Sequence, residues 1–400
     1  MKLARTVRRR ASAALLLSTL GCSEQERLSS YSGATPYPNR RTSYAGMEQR
    51  LGLVSNSLSD SISILDLEAM TEIARVPVGR DPIDLDGPHH LAVDRDRDLL
   101  YVALSYPVEN IVLGPHAQHG LSRRAGYLQV LDLWDLRPLA ELRLDQNPGD
   151  VVLSNDGELA ITHFDLLRAE QQTELEARRA NLVLVDPAAG LLQDNAQVRR
   201  ISLCITPHAI QYDRARPLLY VSCTGEDNVA VVDVESGEVV ARVDVAASVG
   251  KPGAPQHEPY ALVLNETGTE LLVSNTASRT LSVLQTGDAL TRTLTTSVLG
   301  APYFAAYLSD HSALVPMQAP SGLARIDTLS GELLLDTTFS EEICQNPHEA
   351  RVTRDGQAFV VCEGDHRSNG SIVRIDPETL EVLAAVEVGV YPDRLIVLDP

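Results

Sequence analysis

His89, His208 and His348 each follow a proline, and so do Gly149, Tyr260, Tyr303 and Asp393. The seven prolines (Pro88, Pro148, Pro207, Pro259, Pro302, Pro347 and Pro392) stand at corresponding places in a repeated phrase. The residues behind them therefore fill one structural position seven times, around the mouth of whatever ring the repeat builds. Three imidazoles, two phenols and a carboxylate in such a ring could hold a transition metal, since imidazole suits zinc, copper, iron or nickel. One residue further on come Asp150, Glu349 and Arg394, with His90 beside His89. The carboxylates are placed to hold ring N–H groups, and His90 to add a ligand. The competing reading is structural: histidines on loops of an acidic protein bond nearby carboxylates or crossing-loop carbonyls. Seven ring positions also need not converge within the roughly 2 Å ligand distances of an ion. The chain has no His-Glu-x-x-His motif, no Gly-x-Ser-x-Gly elbow, no P-loop and no Cys-x-x-Cys-His haem attachment.

The elements that must position these residues are short strands. Ser61 to Asp66, Tyr127 to Asp132, Asn181 to Asp186, Asn228 to Asp233, Thr280 to Gln285, Gly322 to Asp327 and Ser371 to Asp376 each pack β-branched and aliphatic residues into six positions. Turn chemistry such as Glu235-Ser236-Gly237 or Asp376-Pro377 follows them, as expected of strands entering hairpins. A partner strand comes next, then the proline, an apolar strand, a polar turn such as Asn155-Asp156-Gly157, and another strand. Four strands per unit at a period of roughly 45 to 50 residues is the blade of a propeller. The expected fold is all-β, a seven-bladed β-propeller over residues 51–400. A blade hides both faces only when neighbours cover them, so the ring must close. The seventh unit stops at Ile396-Val397-Leu398, while Leu51 to Asn56 is a spare strand before the first. The N-terminal strand is expected to complete the last blade.

In this strand order, crossings into inner strands and the loops between second and third strands share one face. His89, His90, His208, His257 and His348 map to the crossings; His116, His119, His163 and His366 map to the loops. The long insertions Ser105 to Gly126, Phe164 to Ala180 and Ala246 to Glu258 open on that face too, where a rigid scaffold usually carries function. Glu170 to Arg179 reads as a short solvent-facing helix. Asp94, Asp96 and Asp98 alternate in a hairpin turn that is a solvated acidic turn or a calcium loop lacking its glycine.

The phrases Val76-Pro77-Val78-Gly79-Arg80-Asp81-Pro82, Leu100-Tyr101-Val102-Ala103 and Leu272-Val273-Ser274-Asn275 resemble the YVTN, or YncE-like, β-propeller repeat family over about residues 51 to 400. The resemblance implies the fold and leaves function open, since that family includes surface-layer proteins and periplasmic binders of nucleic acid or other ligands. Gly87-Pro88-His89-His90-Leu91-Ala92 with Leu99-Leu100-Tyr101-Val102 also looks like one blade of the lactonases related to 6-phosphogluconolactonase, without their Arg-rich mouth. Nitrous oxide reductase gathers histidines for copper at a propeller centre, but with more histidines and a second domain.

Arg5, Arg8, Arg9 and Arg10, then apolar Ala11 to Leu20, then Gly21-Cys22 read as an export signal over residues 1–22, too short to span a membrane. Thr19-Leu20-Gly21-Cys22 looks like a bacterial lipobox with Cys22 acylated. Residues 23–50, rich in Ser, Arg, Tyr, Pro and Gly, then form a flexible tether to the cell envelope, and Ser23 points by analogy to the outer membrane. The remaining cysteines pair naturally in an oxidising compartment as Cys204 with Cys223 in the third blade and Cys344 with Cys362 in the sixth. A net charge of −20, with a single tryptophan and four phenylalanines, argues against nucleic acid. The expected function is an exported, lipid-anchored binding scaffold that presents its histidine-rich face to a protein or small-molecule partner. The alternative is a metal-dependent or lactonase-like hydrolase at the channel mouth, with copper, zinc or iron held by His89, His208 and His348.

Overall fold

The computed structural model describes Ser29–Ser30 and residues 43–108, 115–186 and 197–400, except the side chains of 29–30, 115–117 and 197. Cys22, the leader and most of the expected tether lie outside the described residues, as does the side chain of His116. The protein is a seven-bladed β-propeller. From centre to rim, the first blade runs Pro88–Asp94, Leu99–Leu104, Ala125–Asp132 and Pro138–Gln146, all antiparallel. The next five begin at inner strands Pro148–Leu153, Pro207–Tyr212, Pro259–Leu264, the split pair Ala301–Pro302 and Ala306–Ser309, and Pro347–Val352. Pro392–Leu398 forms the inner strand of the seventh blade and pairs with Leu51–Asn56, Leu51 opposite Leu398 and Leu53 opposite Ile396. Ser61–Asp66 and Thr71–Pro77 complete that sheet, so the N-terminal strand closes the ring as expected.

Side-chain alternation explains why a ring is needed. In Leu99–Leu104 every residue is buried. Leu100, Val102 and Leu104 pack toward the seventh blade, whereas Leu99, Tyr101 and Ala103 pack toward the second. The same division recurs, giving seven apolar cores, one at each junction between blades. Burial at about 25 cal/mol per Å² of apolar surface is thereby spread evenly around the ring. Packing also starts before Leu51: Tyr44 is buried against the seventh-to-first junction and its N–H donates to the Trp134 carbonyl at 2.7 Å.

Both cysteine pairs form disulfides, Cys204–Cys223 and Cys344–Cys362, with Cα separations of 5.8 and 5.2 Å. The placement of Cys204 differs from the expectation of a bridge within the third blade. Cys204 ends the outer strand of the second sheet, pairing with Ala180, so this bridge ties the second blade to the third. The charged segment after Phe164 forms two short helices, Leu166–Gln171 and Leu175–Arg178, on the face where the loops open. Asp94 is held by Arg97 at 2.6 Å and Asp98 accepts from Trp134 Nε1 at 2.7 Å, so two of the three acids of the turn have ordinary partners.

Candidate functional site

How the chain enters each inner strand decides what reaches the axis. In six blades the residue before the proline has a positive φ: Gly87, Asn147, Thr206, Glu258, Asn346 and Tyr391, between 49° and 65°. The same six blades shift register just after the proline, with one extra residue on the inner strand. Such a β-bulge re-aims side chains. Here it lets two successive residues, rather than one, reach the axial cluster. For the five non-glycine residues a positive φ costs on the order of 1–3 kcal/mol each, a strain that persists only where packing over-determines it.

The positions behind the prolines meet in blade order. His89 and His208 have ring centroids 6.3 Å apart, and His208 stacks on Tyr260 at 3.7 Å. Tyr260 lies 5.4 Å from Tyr303, and Tyr303 lies 5.5 Å from His348. The His348 Nδ1 is 3.0 Å from the Asp393 carbonyl, and Asp393 Oδ1 lies 3.6 Å from His89 Nε2. Gly149 brings no side chain and lies against Thr162, where a Cβ would meet Oγ1 at 2.9 Å. Hydroxyls at the ends of neighbouring second strands hold the ring in place: Ser55, Thr162, Ser222 and Ser274 donate to the carbonyls of His89, His208, Tyr260 and Tyr303. These positions form a buried cap rather than an open mouth, with His89, His208, His348 and Asp393 at most 1% exposed. A cavity of about 490 Å³ opens beside the cap, bounded by Phe164, Tyr260 and Tyr303.

His89, His208 and His348 do not gather as one triad. The compact sets are His89, His119 and Asp393, and His348, Glu363 and Asp393, each with ligand atoms within 4.8 Å of one another. His119 comes from the insertion after Leu104, its Nδ1 2.8 Å from Ser105 Oγ and its Nε2 3.7 Å from Asp393 Oδ2. His89 and His119 stack with centroids 4.1 Å apart. On the other side His348 Nε2 is 3.8 Å from Glu363 Oε1, and His366 Nε2 is 2.9 Å from Glu363 Oε2. The Ser57 hydroxyl bonds Asp393. Glu363 directly follows Cys362, so the Cys344–Cys362 bridge anchors the strand end that delivers this carboxylate.

Of the second residues behind the prolines, His90 is held through Nδ1 by Asp150 Oδ1 at 2.6 Å. Asp150 thus fixes a ring nitrogen, whereas Glu349 accepts from Arg351 and Arg394 at 2.7 and 3.1 Å. Phe304 fills the axis, 5.4 Å from His90 and 5.3 Å from His348. It arrives there because the fifth inner strand is split and Phe304 pairs with the sixth blade instead, its N–H donating to the His348 carbonyl. His163 and His257 stay out of the cap: His163 Nδ1 bonds the Asn181 carbonyl and His257 Nε2 bonds that of Ser248. Sequence reasoning put His119 and His366 on the correct face without placing them in the site, and it missed Glu363, Phe304, Ser57 and Arg351. The acid-histidine loop Glu363-Gly364-Asp365-His366 after a cysteine was the available signal for Glu363.

Burial dominates the electrostatics of the cap. Burial, then His119 and the other imidazoles, hold His89 well below its ordinary pKa. Burial likewise brings His348 down to about 3. Burial and then Glu363 push the Asp393 carboxyl well above the usual range. Both nitrogens of His89, Nε2 of His90 and Oδ1 of Asp393 are buried with no hydrogen-bond partner among the described residues. Buried polar atoms are rarely left so.

No family model matches the sequence, and no curated protein does. Solved structures share the fold. Dihydro-heme d1 dehydrogenase NirN in complex with DHE is 16% identical with a TM-score of 0.58, covering 92% of this chain and 79% of its own. The periplasmic gluconolactonase PpgL of Pseudomonas aeruginosa is 17% identical with a TM-score of 0.62, covering 88% and 100%. A protein from Lactobacillus plantarum is 16% identical with a TM-score of 0.60, covering 88% and 100%.

Proposed function

We propose that this chain is an exported binding propeller whose axial cap takes up a divalent transition metal. The observation that carries the reading is the pair of buried three-ligand sets sharing Asp393. Their His–carboxylate gaps of 3.6 to 3.8 Å are too long for hydrogen bonds. They lie near the edge of a coordination tetrahedron, about 3.3 Å for bonds of about 2.0–2.1 Å. His348 and His119 already engage Nδ1 with an oxygen and turn Nε2 to the carboxylates, the usual orientation of a metal-bound imidazole. The four described cysteines are tied in disulfides, so the donors are imidazole and carboxylate, which suit zinc, iron(II) or copper(II) rather than copper(I).

The test is elemental analysis of protein made without a histidine tag, loaded with each metal and dialysed. Wild type should keep about one to two equivalents of one metal, and His119→Asn and Glu363→Gln should each lower the amount retained, whereas His311→Asn, in the turn at the opposite rim, should not. Wild type retaining none of the three metals, or the ligand variants retaining as much as His311→Asn, overturns the proposal.

A metal-dependent, lactonase-type hydrolase is the second reading, favoured by one feature: three protein ligands per ion leave a position for water, whose pKa the ion would lower. Hydrolysis of glucono-δ-lactone that needs metal and vanishes in His119→Asn supports it; metal-loaded protein without such activity leaves the binding role. Two disulfides support export, and the repeat phrases support a YVTN, or YncE-like, relationship. Cys22 is proposed as the acylated anchor, tested by whether Cys22→Ala moves the protein from the membrane to the soluble envelope fraction.

A further inference from the structure

Below the cap the axis opens. A cavity of about 900 Å³ enters from the opposite face, lined by inner-strand residues such as Leu153, Leu264 and Ile396 with Arg351 and Arg394, and by charged residues that include Asp156, Glu158, Asp213 and Glu235. The bulge behind Pro392 splits two neighbours between the two ends of the axis: Asp393 joins the cap, while Arg394 lines this chamber. The Arg394 side chain is 8% exposed, and its guanidinium lies 5.5 Å from the Phe304 ring that floors the cap.

At the deep end the charges of two carboxylates, Glu349 and Asp150, act on two guanidiniums, but only Glu349 bonds them. Arg351 and Arg394 both bond Glu349 Oε1, and Glu349 Oε2 accepts from the Leu395 N–H. One carboxylate, already saturated, thus serves two guanidiniums. Nε of Arg351 and Nε of Arg394 are buried without a hydrogen-bond partner among the described residues. The oxygens of Asp150 are occupied by His90 and by the backbone N–H groups of Val151 and Ile210. Two rim arginines have carboxylate partners of their own, Arg199 in Glu158 at 2.9 Å and Arg216 in Asp213 at 2.6 Å.

We infer that this chamber is a second binding site, separate from the metal cap, for a small organic carboxylate. Its head lies between Arg351 and Arg394 and its carbon body against the aliphatic wall. A guanidinium fork presents parallel N–H donors that match a planar carboxylate, and a pocket with apolar walls and a few converging polar groups is the usual form of a small-molecule site. Burial lowers the Arg351 guanidinium pKa, which a bound anion would reverse.

Isothermal titration of chelator-treated protein tests this without involving the cap, with hexanoate, gluconate and inorganic phosphate as probes. Hexanoate is expected to bind, with gluconate and phosphate weaker. Arg394→Gln is expected to weaken hexanoate about ten- to a hundredfold, the loss of a charge-assisted hydrogen bond. Arg351→Lys, which keeps the charge and removes the fork, guards against a variant that fails to fold and should also bind at least about tenfold more weakly. No heat with hexanoate on folded wild type, affinity unchanged in Arg351→Lys, or phosphate binding more tightly than hexanoate would each overturn the inference.

Discussion

Asp393→Asn should make the metal-free protein more stable and the metal-loaded protein no more stable than that. Asp393 is shared by both ligand sets, and its carboxylate and that of Glu363 lie within 4.8 Å. At that distance two negative charges repel by about 3 kcal/mol with an effective dielectric constant of about 20. Without a cation the wild type escapes part of this by keeping a proton on Asp393, whose pKa burial and Glu363 raise. Asparagine has nearly the same shape and can still meet the Ser57 hydroxyl, so the variant should gain about 1–3 kcal/mol in chelator. Metal reverses the order of benefit. At a free concentration about a hundred times its Kd, an ion binding only the folded state adds about 2.7 kcal/mol to wild type. If the variant's Kd rises a thousandfold, the same ion adds less than about 0.1 kcal/mol. Urea unfolding of both proteins, with chelator and with zinc, reads all four values. A variant less stable than wild type in chelator, yet stabilised equally by zinc, would refute both the electrostatic reasoning and the role given to Asp393.

Reducing Cys344–Cys362, with a sequence separation of 18, should cost about 3 kcal/mol by loop-closure entropy. Because Glu363 follows Cys362, Cys344→Ser/Cys362→Ser should also lose metal by elemental analysis, whereas Cys204→Ser/Cys223→Ser, with a separation of 19, should lose similar stability and keep it. His348 is neutral in the fold with its pKa brought down to about 3; the unfolded chain then binds more protons between about pH 3 and 6.5, so stability falls as pH drops through that window. In chelated Asp393→Asn protein, where the opposing titration of Asp393 is gone, the slope from His348 should reach about 1.4 kcal/mol per pH unit and disappear in the added His348→Asn variant. Leu395→Ala, in the inner strand of the seventh blade and wholly buried in one core with Val54 and Phe359, should cost about 2–5 kcal/mol by urea unfolding.

The amino-acid sequence alone determined the architecture, because strand alternation, turn residues and the proline-led phrase are local signals that recur seven times. The spare strand Leu51–Asn56 told how the ring closes, since an unpaired edge at Pro392–Leu398 needs it. The repeat also made His89, His208, Tyr260, Tyr303, His348 and Asp393 neighbours before any coordinates. Which of them share a centre was a tertiary matter. Period-two reasoning gives one axial residue per phrase, but the bulge behind six of the seven prolines admits a second, so His90 joins the cap and Arg394 turns into the channel. His119 and Glu363 reach Asp393 from loops of two other blades, and Phe304 takes the axis only because its own inner strand breaks and borrows the next blade's backbone. Those outcomes depend on packing between sheets distant in sequence, where a shift of one residue changes which group faces which, and no local pattern records that choice.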